Sequence, residues 1–286
     1  MFRLMIISVI VLWIFNSCTE KIEIELDSSY TRLVVYGEVT DLKGRSFVKL
    51  NKTSDYLSGI PAPAVSNAVV EIIEGGESIF LQEDLVTPGL YKFPSDFKGT
   101  ADQIYQLKLS DIDINEDGIN ESYSAQTKLK PVNSIDSITL KYTANSFFSG
   151  WEIQVWAWDP GNIKNYYSFK AYKNNKILTD TLDEYIVIDD LLFNGNFTYG
   201  ITALFLNDEE ESEKVIPGDT VTLEMNSITE EYYNFILEAQ TEIRPSTPLF
   251  SGPPANISSN ISNGALGIFT AYSAASQTTV VPDYPD

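Results

Sequence analysis

The chain has 286 residues, 43% of them hydrophobic, enough for one large or two ordinary domains with buried cores. Its net charge of −21 excludes charge-driven docking on nucleic acid or on an anionic lipid surface, since both need clustered Lys and Arg. It has no His and a single Cys, Cys18. Ser–His and Cys–His catalysis, His-ligated metals, an intrachain disulfide and thiolate clusters are therefore ruled out. Carboxylates, Lys, Tyr and Ser remain for catalysis, and hard cations held by oxygen remain as metals.

The opening MFRLMIISVIVLWIFNSC reads as a signal peptide over residues 1–17. Arg3 supplies the positive end, and Leu4 to Phe15 is apolar except for Ser8. A bilayer span needs roughly 20 apolar residues, so this run is too short to be one and suits an export signal. Ser17-Cys18 after it resembles the lipobox of bacterial lipoproteins, with Phe15 where Leu is usual. The resemblance implies acylation of Cys18 and a lipid anchor, against the plainer reading of an incidental cysteine. Residues 18–29 then form an acidic tether holding Glu20, Glu23, Glu25 and Asp27. It reads equally as a solvated spacer or as a surface-export signal.

Beyond the tether the periodicity is that of strands. TRLVVYGEVT (31–40) and SFVKLNKT (46–53) are strands, and AVVEIIEGGESIFLQ (68–82) is a hairpin turning at Gly75-Gly76. Further strands follow in GLYKF, IYQLKLS and SYSAQTKL. They predict an N-terminal β-sandwich over 30–130.

The turn DINEDGINE (113–121) carries oxygen side chains at alternate positions. Placing Leu109 opposite Tyr123, Leu107 opposite Ala125 and Tyr105 opposite Thr127 gives one apolar face and makes this stretch a hairpin tip. That register sets Asp111 opposite Glu121. In a calcium-loop alignment Asp113, Asn115, Asp117, the carbonyl of Ile119 and Glu121 would face the cation. Ser124 stands where the bidentate Glu belongs, and no helices flank the loop. Two readings stand: an isolated Ca2+ loop, or a bare polar turn marked by Asp117-Gly118.

LKPVNSIDSI (129–138) is the expected joint to a second domain, fibronectin-III-like, over 131–274. In GWEIQVWAWD, Trp156 and Trp158 share a strand face. The simpler expectation is a core Trp pair; exposed, the pair would stack on a sugar ring. NDEEESE (207–213) reads as a solvated loop, and Asp189-Asp190 as a turn. A helix is expected at about 228–243, with Ser227 as N-cap and Glu230 at capping-box spacing. Ile228, Tyr232, Phe235, Ile236 and Ala239 make its apolar stripe. A final strand is expected over 264–274, with residues 275–286 as a loose tail. The fold class is thus mainly β: two immunoglobulin- or fibronectin-III-like sandwiches, one helix and an extended C-terminal segment.

LVVYGEVTD, the PGLY turn (88–91), KPVNSIDSI, NYYSF and NISNGALGIFTAYSA (260–274), in this order, resemble an uncharacterised outer-membrane lipoprotein family, domain of unknown function 4249. The similarity runs from about Tyr30 to Ala274. It implies a predominantly β lipoprotein, often encoded beside a TonB-dependent outer-membrane receptor, and assigns no catalytic residue. The expected function is a lipid-anchored, non-enzymatic accessory or binding component facing the cell surface or the periplasm. One alternative is a surface glycan- or peptide-binding protein with a Trp or Tyr platform. Another is a hydrolase with two carboxylates of opposed pKa across a cleft.

Overall fold

The computed structural model describes residues 31–54, 61–144, 149–161, 163–243 and 257–284. The signal peptide 1–17, Cys18 and the tether 18–29 lie outside the described residues. The first half supplies β1 (Leu33–Thr40), β2 (Phe47–Lys52), β3 (Val69–Glu74), β4 (Glu77–Phe80), β5 (Gln82–Glu83), β6 (Leu90–Lys92), β7 (Ile104–Ile112) and β8 (Glu121–Lys128). The second half supplies β9 (Ile135–Ala144), β10 (Ser149–Ala157), β11 (Tyr166–Lys173), β12 (Lys176–Ile177), β13 (Ile186–Asp189), β14 (Ile201–Asn207), β15 (Thr220–Ile228), the helix α1 (Glu230–Ile243) and β16 (Leu266–Val280). The chain is mainly β, as its alternation predicts.

Local chemistry accounts for the hairpins. Gly75 and Gly76 both take positive φ, and Glu74 pairs with Glu77, so the turn has two residues. β7 and β8 pair Tyr105 with Thr127, Leu107 with Ala125 and Leu109 with Tyr123, in the register that parity requires. The expected pairing of Asp111 with Glu121 does not form. Asp111 bulges out with φ 58°, and Ile112 takes its place opposite Glu121. The slip lets Ile112 turn inward, where it is buried.

Three sheets result. The smaller ones run β4-β3-β7-β8 and β14-β10-β9. The large one runs β12-β11-β15-β16-β1-β2-β6-β5, with β13 on β11. Its centre is β16, and β16 has two partners in succession. Leu266 to Tyr272 pair in parallel with β1, and Ser273 to Val280 pair antiparallel with β15.

Two apolar cores lie on the inner face of this sheet. Val35, Val48, Leu50 and Phe269 meet Ile72, Leu107 and Leu109 of the four-stranded sheet. Phe169, Leu223 and Met225 meet Trp151, Ile153 and Val155 of the three-stranded one. The first core draws on residues 33–129 and also on Ile261, Ala265, Phe269 and Ala271, so neither the cores nor the sheet divides in sequence at the expected joint near residue 130. β16 belongs to both lobes, and Thr31–Asp286 forms one compact unit.

Two boundaries differ from expectation. β16 runs six residues past 274, so the segment expected to be a loose tail is paired as far as Val280. Its hydroxyls face cross-strand partners, as in the 2.7 Å Thr222–Thr278 contact, which is why it reads as a polar tail. Val281 is buried, and Tyr284 packs edge-on against Tyr142. The helix begins at Glu230 instead of about 228, because Ser227 and Ile228 finish β15. Thr229 is the N-cap, its hydroxyl accepting the Tyr232 N–H at 3.2 Å. Tyr232, Ile236 and Ala239 face inward as the stripe predicts, onto the outer face of the large sheet. Burying an aliphatic or aromatic side chain there contributes about 1.5–3 kcal/mol.

Candidate functional site

The acidic loop is built as a self-satisfied turn. Asp113 accepts the N–H of Asp117 at 3.0 Å and of Gly118 at 2.8 Å. Asp117 accepts the N–H of Ile119 at 2.8 Å, and Asn115 Nδ2 donates to Asp117 at 3.0 Å. Glu121 turns away to the N–H of Ile114 at 3.1 Å, and Glu116 pairs with Lys52 at 2.8 Å. The structure therefore brings Asp113, Asn115 and Asp117 together and sends Glu121 elsewhere. Among the described residues, no three acidic, His or Cys side chains form a group that could hold a metal ion.

A second constellation escaped the sequence. On the outer face of the large sheet, the face that α1 packs against, lie Glu38, Lys170 and Glu224, each buried. Glu38 accepts the hydroxyls of Tyr36 and, at 2.8 Å, Tyr272. Tyr36 has spent its proton on Glu38, so the 2.9 Å contact with Tyr232 is donated by Tyr232. The Lys170 ammonium sits 5.1 Å from the Tyr185 ring centre and 5.5 Å from that of Tyr272. Glu224 accepts from Arg45 at 2.5 Å and from Tyr172 at 3.1 Å.

Burial pushes the phenols of Tyr232 and Tyr272 well above the usual tyrosine range, and the charge of Glu38 adds to it. Burial by itself would lower Lys170. Glu38 first, then Tyr185 and Glu224, outweigh that and hold the ammonium above the ordinary lysine value. The two acids thus each face a cation, and the cluster ties β1 and the β1–β2 turn of one lobe to β11 and β15 of the other.

The third constellation is open. In β10, Trp151, Ile153, Val155 and Ala157 face the core, and Glu152, Gln154 and Trp156 face out. The core tryptophan is Trp151. The expected core pair of Trp156 and Trp158 is corrected: Trp156 is half-buried and Trp158 is 58% exposed. The two share the parity of Glu152 and Gln154, and that parity was the signal that marked them as outward.

The sheet around them is pre-ordered. Trp156 donates its indole N–H to Thr139 at 3.0 Å, and its ring lies on Gly200. A Cβ at Gly200 would come within 2.6 Å of that ring, and φ there is +76°. Phe197 stands 5.4 Å from Trp158, 6.3 Å from Trp156 and 5.2 Å from Tyr199. Tyr199 is 75% exposed and holds φ at 51°, a left-handed conformation unfavourable for an aromatic residue. Down the same face, Gln154 accepts from Thr139 at 3.2 Å, and Glu152 accepts from Thr143 at 2.7 Å and Thr202 at 3.1 Å. Those hydroxyls, Thr143 first, hold the Glu152 carboxyl below its ordinary value. Lys141 lies 3.8 Å from Glu152.

The loops at the aromatic end are laced by buried acids. Asp159 accepts the Tyr167 hydroxyl at 2.6 Å and the Gly195 N–H at 3.1 Å. Burial raises its pKa, and Asp190 nearby adds to this. Asp190 accepts the Asn165 N–H at 2.9 Å. The lacing ties residues 159 and 165 to the loop 190–200, and three apolar side chains beside these anchors point to water: Ile163, Leu191 and Leu192, at 56%, 76% and 94% exposed.

A family model described as a domain of unknown function, DUF4249, matches residues 19–278. The chain belongs to the DUF4249 family. No curated protein matches it. The matched span of this DUF4249 chain takes in both cores, the buried cluster and the aromatic strip. No helix among the described residues is long and apolar enough to cross a membrane.

Proposed function

We propose that this DUF4249 protein is a lipid-anchored, non-enzymatic component of the outer membrane that works beside a TonB-dependent receptor. In this reading Cys18 is acylated, residues 18–29 are the tether, and the two lobes are fibronectin-III-like sandwiches that share β16. The two separate cores, each between the large sheet and a smaller one, support the sandwich reading. Two or more acyl chains anchor stably where one is marginal, since each buried CH₂ contributes about 0.8 kcal/mol.

The observation that carries the reading is the lacing of residues 159 and 165 to the loop 190–200. Ile163, Leu191 and Leu192 are held in water by buried hydrogen bonds to Asp159 and Asp190. A fold that fixes apolar side chains outward presents them to a partner. The acids that could have served hydrolysis, Glu38 and Glu224, are buried and face the charges of Lys170 and Arg45.

The test is copurification from detergent-solubilised outer membranes. The wild-type protein brings down a TonB-dependent receptor, and a Leu191→Ser, Leu192→Ser variant loses it. Recovery without any receptor, under conditions that keep known receptor complexes intact, overturns the proposal. For the anchor, Cys18→Ala abolishes labelling by a fatty-acid probe.

A further inference from the structure

The outer face of β9-β10-β14 is a strip of four rows. Phe205, Glu152 and Lys141 make the first row and Thr202, Gln154 and Thr139 the second. Trp156 with Ser137 makes the third, and Trp158 beside Phe197 the fourth, where the two residues form an isolated bridge. Same-face residues two apart on a strand lie about 7 Å apart, so the strip is about 20 Å long.

We propose that this strip binds a neutral oligosaccharide, with Trp158 and Tyr199 stacking on the apolar faces of its rings and Gln154, Glu152 and Lys141 bonding its hydroxyls. The inference rests on the reading of the chain as a binding component and names its ligand. Three observations select the ligand class. First, the strip is amphipathic in the way a pyranose is: flat apolar faces at one end, and amide, carboxylate and hydroxyl groups in the plane beside them. Second, it is locally uncharged in a chain of net charge −21, because Lys141 is matched by Glu152. An anionic lipid or nucleic acid would need a surplus of cations there.

Third, the aromatic surface is the face of the sheet, where side chains and not backbone groups are offered, so a peptide that adds as a strand would pair along β9 or β14 and leave these rings unused. The rings are also fixed before any ligand arrives. Trp156 is pinned by Thr139 and Gly200, Asn133 holds the Trp158 carbonyl at 2.8 Å, and Tyr199 is set by its left-handed backbone. Ordering these side chains in advance removes part of the entropy cost of binding.

Native affinity electrophoresis of the full-length protein, in gels containing dextran, mannan, laminarin or arabinoxylan, tests it. At least one polysaccharide retards the wild type. Trp158→Ala and Tyr199→Ala each weaken that retardation about tenfold or more, Gln154→Ala weakens it by less, and Trp158→Tyr restores most of it. Melting curves run alongside separate loss of a contact from loss of the fold, since Trp158 and Tyr199 are exposed. Retardation by none of the four, or retardation that the Trp158→Ala, Tyr199→Ala double variant keeps, overturns the proposal. If the double variant loses receptor copurification and no polysaccharide retards the wild type, the strip is a protein interface. That outcome overturns the glycan assignment and leaves the accessory role standing.

Discussion

The outer faces of the large sheet and of the three-stranded sheet start from the same materials and end differently. Each carries Glu, Lys, Thr and large aromatic residues on the polar phase of its strands. Over the large sheet, α1 covers part of that face, with Tyr232 reaching Tyr36 beside Glu38, and Glu38, Lys170 and Glu224 are buried groups that must be neutralised in place. Over β9-β10-β14 no described element closes the aromatic end, and Trp158 and Tyr199 stay in water. One face has its partner inside the molecule; the other has its partner outside. The same composition thus yields a clamp between lobes in one place and a binding surface in the other.

The sharpest way to break this contrast is to remove the cation from the covered face. Lys170→Met leaves Glu38 buried without its counter-charge and lowers stability by about 3–5 kcal/mol, read from denaturant midpoints. Adding Glu38→Leu to that variant removes the unpaired charge but leaves the hydroxyls of Tyr36 and Tyr272 without their acceptor, so it recovers only part of the loss.

High pH attacks the same face. Tyr232 and Tyr272 have folded pKa values above the unfolded one near 10, so their contribution is complete below pH 10. Above pH 10 the unfolded chain gives up those protons first. Stability then falls by up to about 1.4 kcal/mol per pH unit for each phenol, until the folded pKa is reached. Lys170, whose folded pKa is likewise raised, adds in the same direction. Urea melts between pH 8 and pH 11 should show a flat region followed by this decline.

The open face responds less. Gly200→Ala puts a Cβ against the Trp156 ring at positive φ and costs about 1–3 kcal/mol, with a changed near-ultraviolet tryptophan signal. At the hairpin tip, Asp113→Ala removes the acceptor that the N–H groups of Asp117 and Gly118 share and costs about 1 kcal/mol or less, since both face water and Asp117 keeps Asn115 as an acceptor. Should that loop take calcium, millimolar calcium raises the melting temperature of the wild type and not of Asp117→Ala; an unchanged curve leaves a bare turn. Smallest of all, Trp158→Ala shifts stability by about 0.5 kcal/mol, since that ring is 58% exposed and gives up chiefly its contact with Phe197.

What the sequence disclosed follows from the range of the forces involved. Strand positions and the β7–β8 register were legible because alternation and turn chemistry are local. The Trp156 and Trp158 placement was legible too, through their parity with Glu152 and Gln154, but the habit of burying tryptophan argued the other way. The buried cluster was not legible. Glu38, Lys170 and Glu224 each sit on the polar phase of a strand and read as solvent-facing. Distant neighbours make them core: α1 brings Tyr232 to Tyr36 beside Glu38, and the β1–β2 turn brings Arg45 to Glu224. The pairing of β1 with β16 was equally hidden, because it joins residues more than 200 positions apart and carries no turn. Ser276 and Thr278 were mistaken for a tail because a strand whose outward face is all hydroxyl has the composition of a coil.

β16 also sets a timetable. β1 is among the first strands to be made, and its parallel neighbour is among the last. Until Leu266 to Val280 arrive, the flank of β1 that faces β16 is a bare edge, and β15 lacks a neighbour on one side. Neither lobe can close its sheet early, so the molecule commits to its structure in one late step. Such long-range closure makes folding slow and leaves the growing chain open to edge-to-edge association meanwhile. A shortened chain that stops at Ala274 would fail as a whole, and not as one lobe.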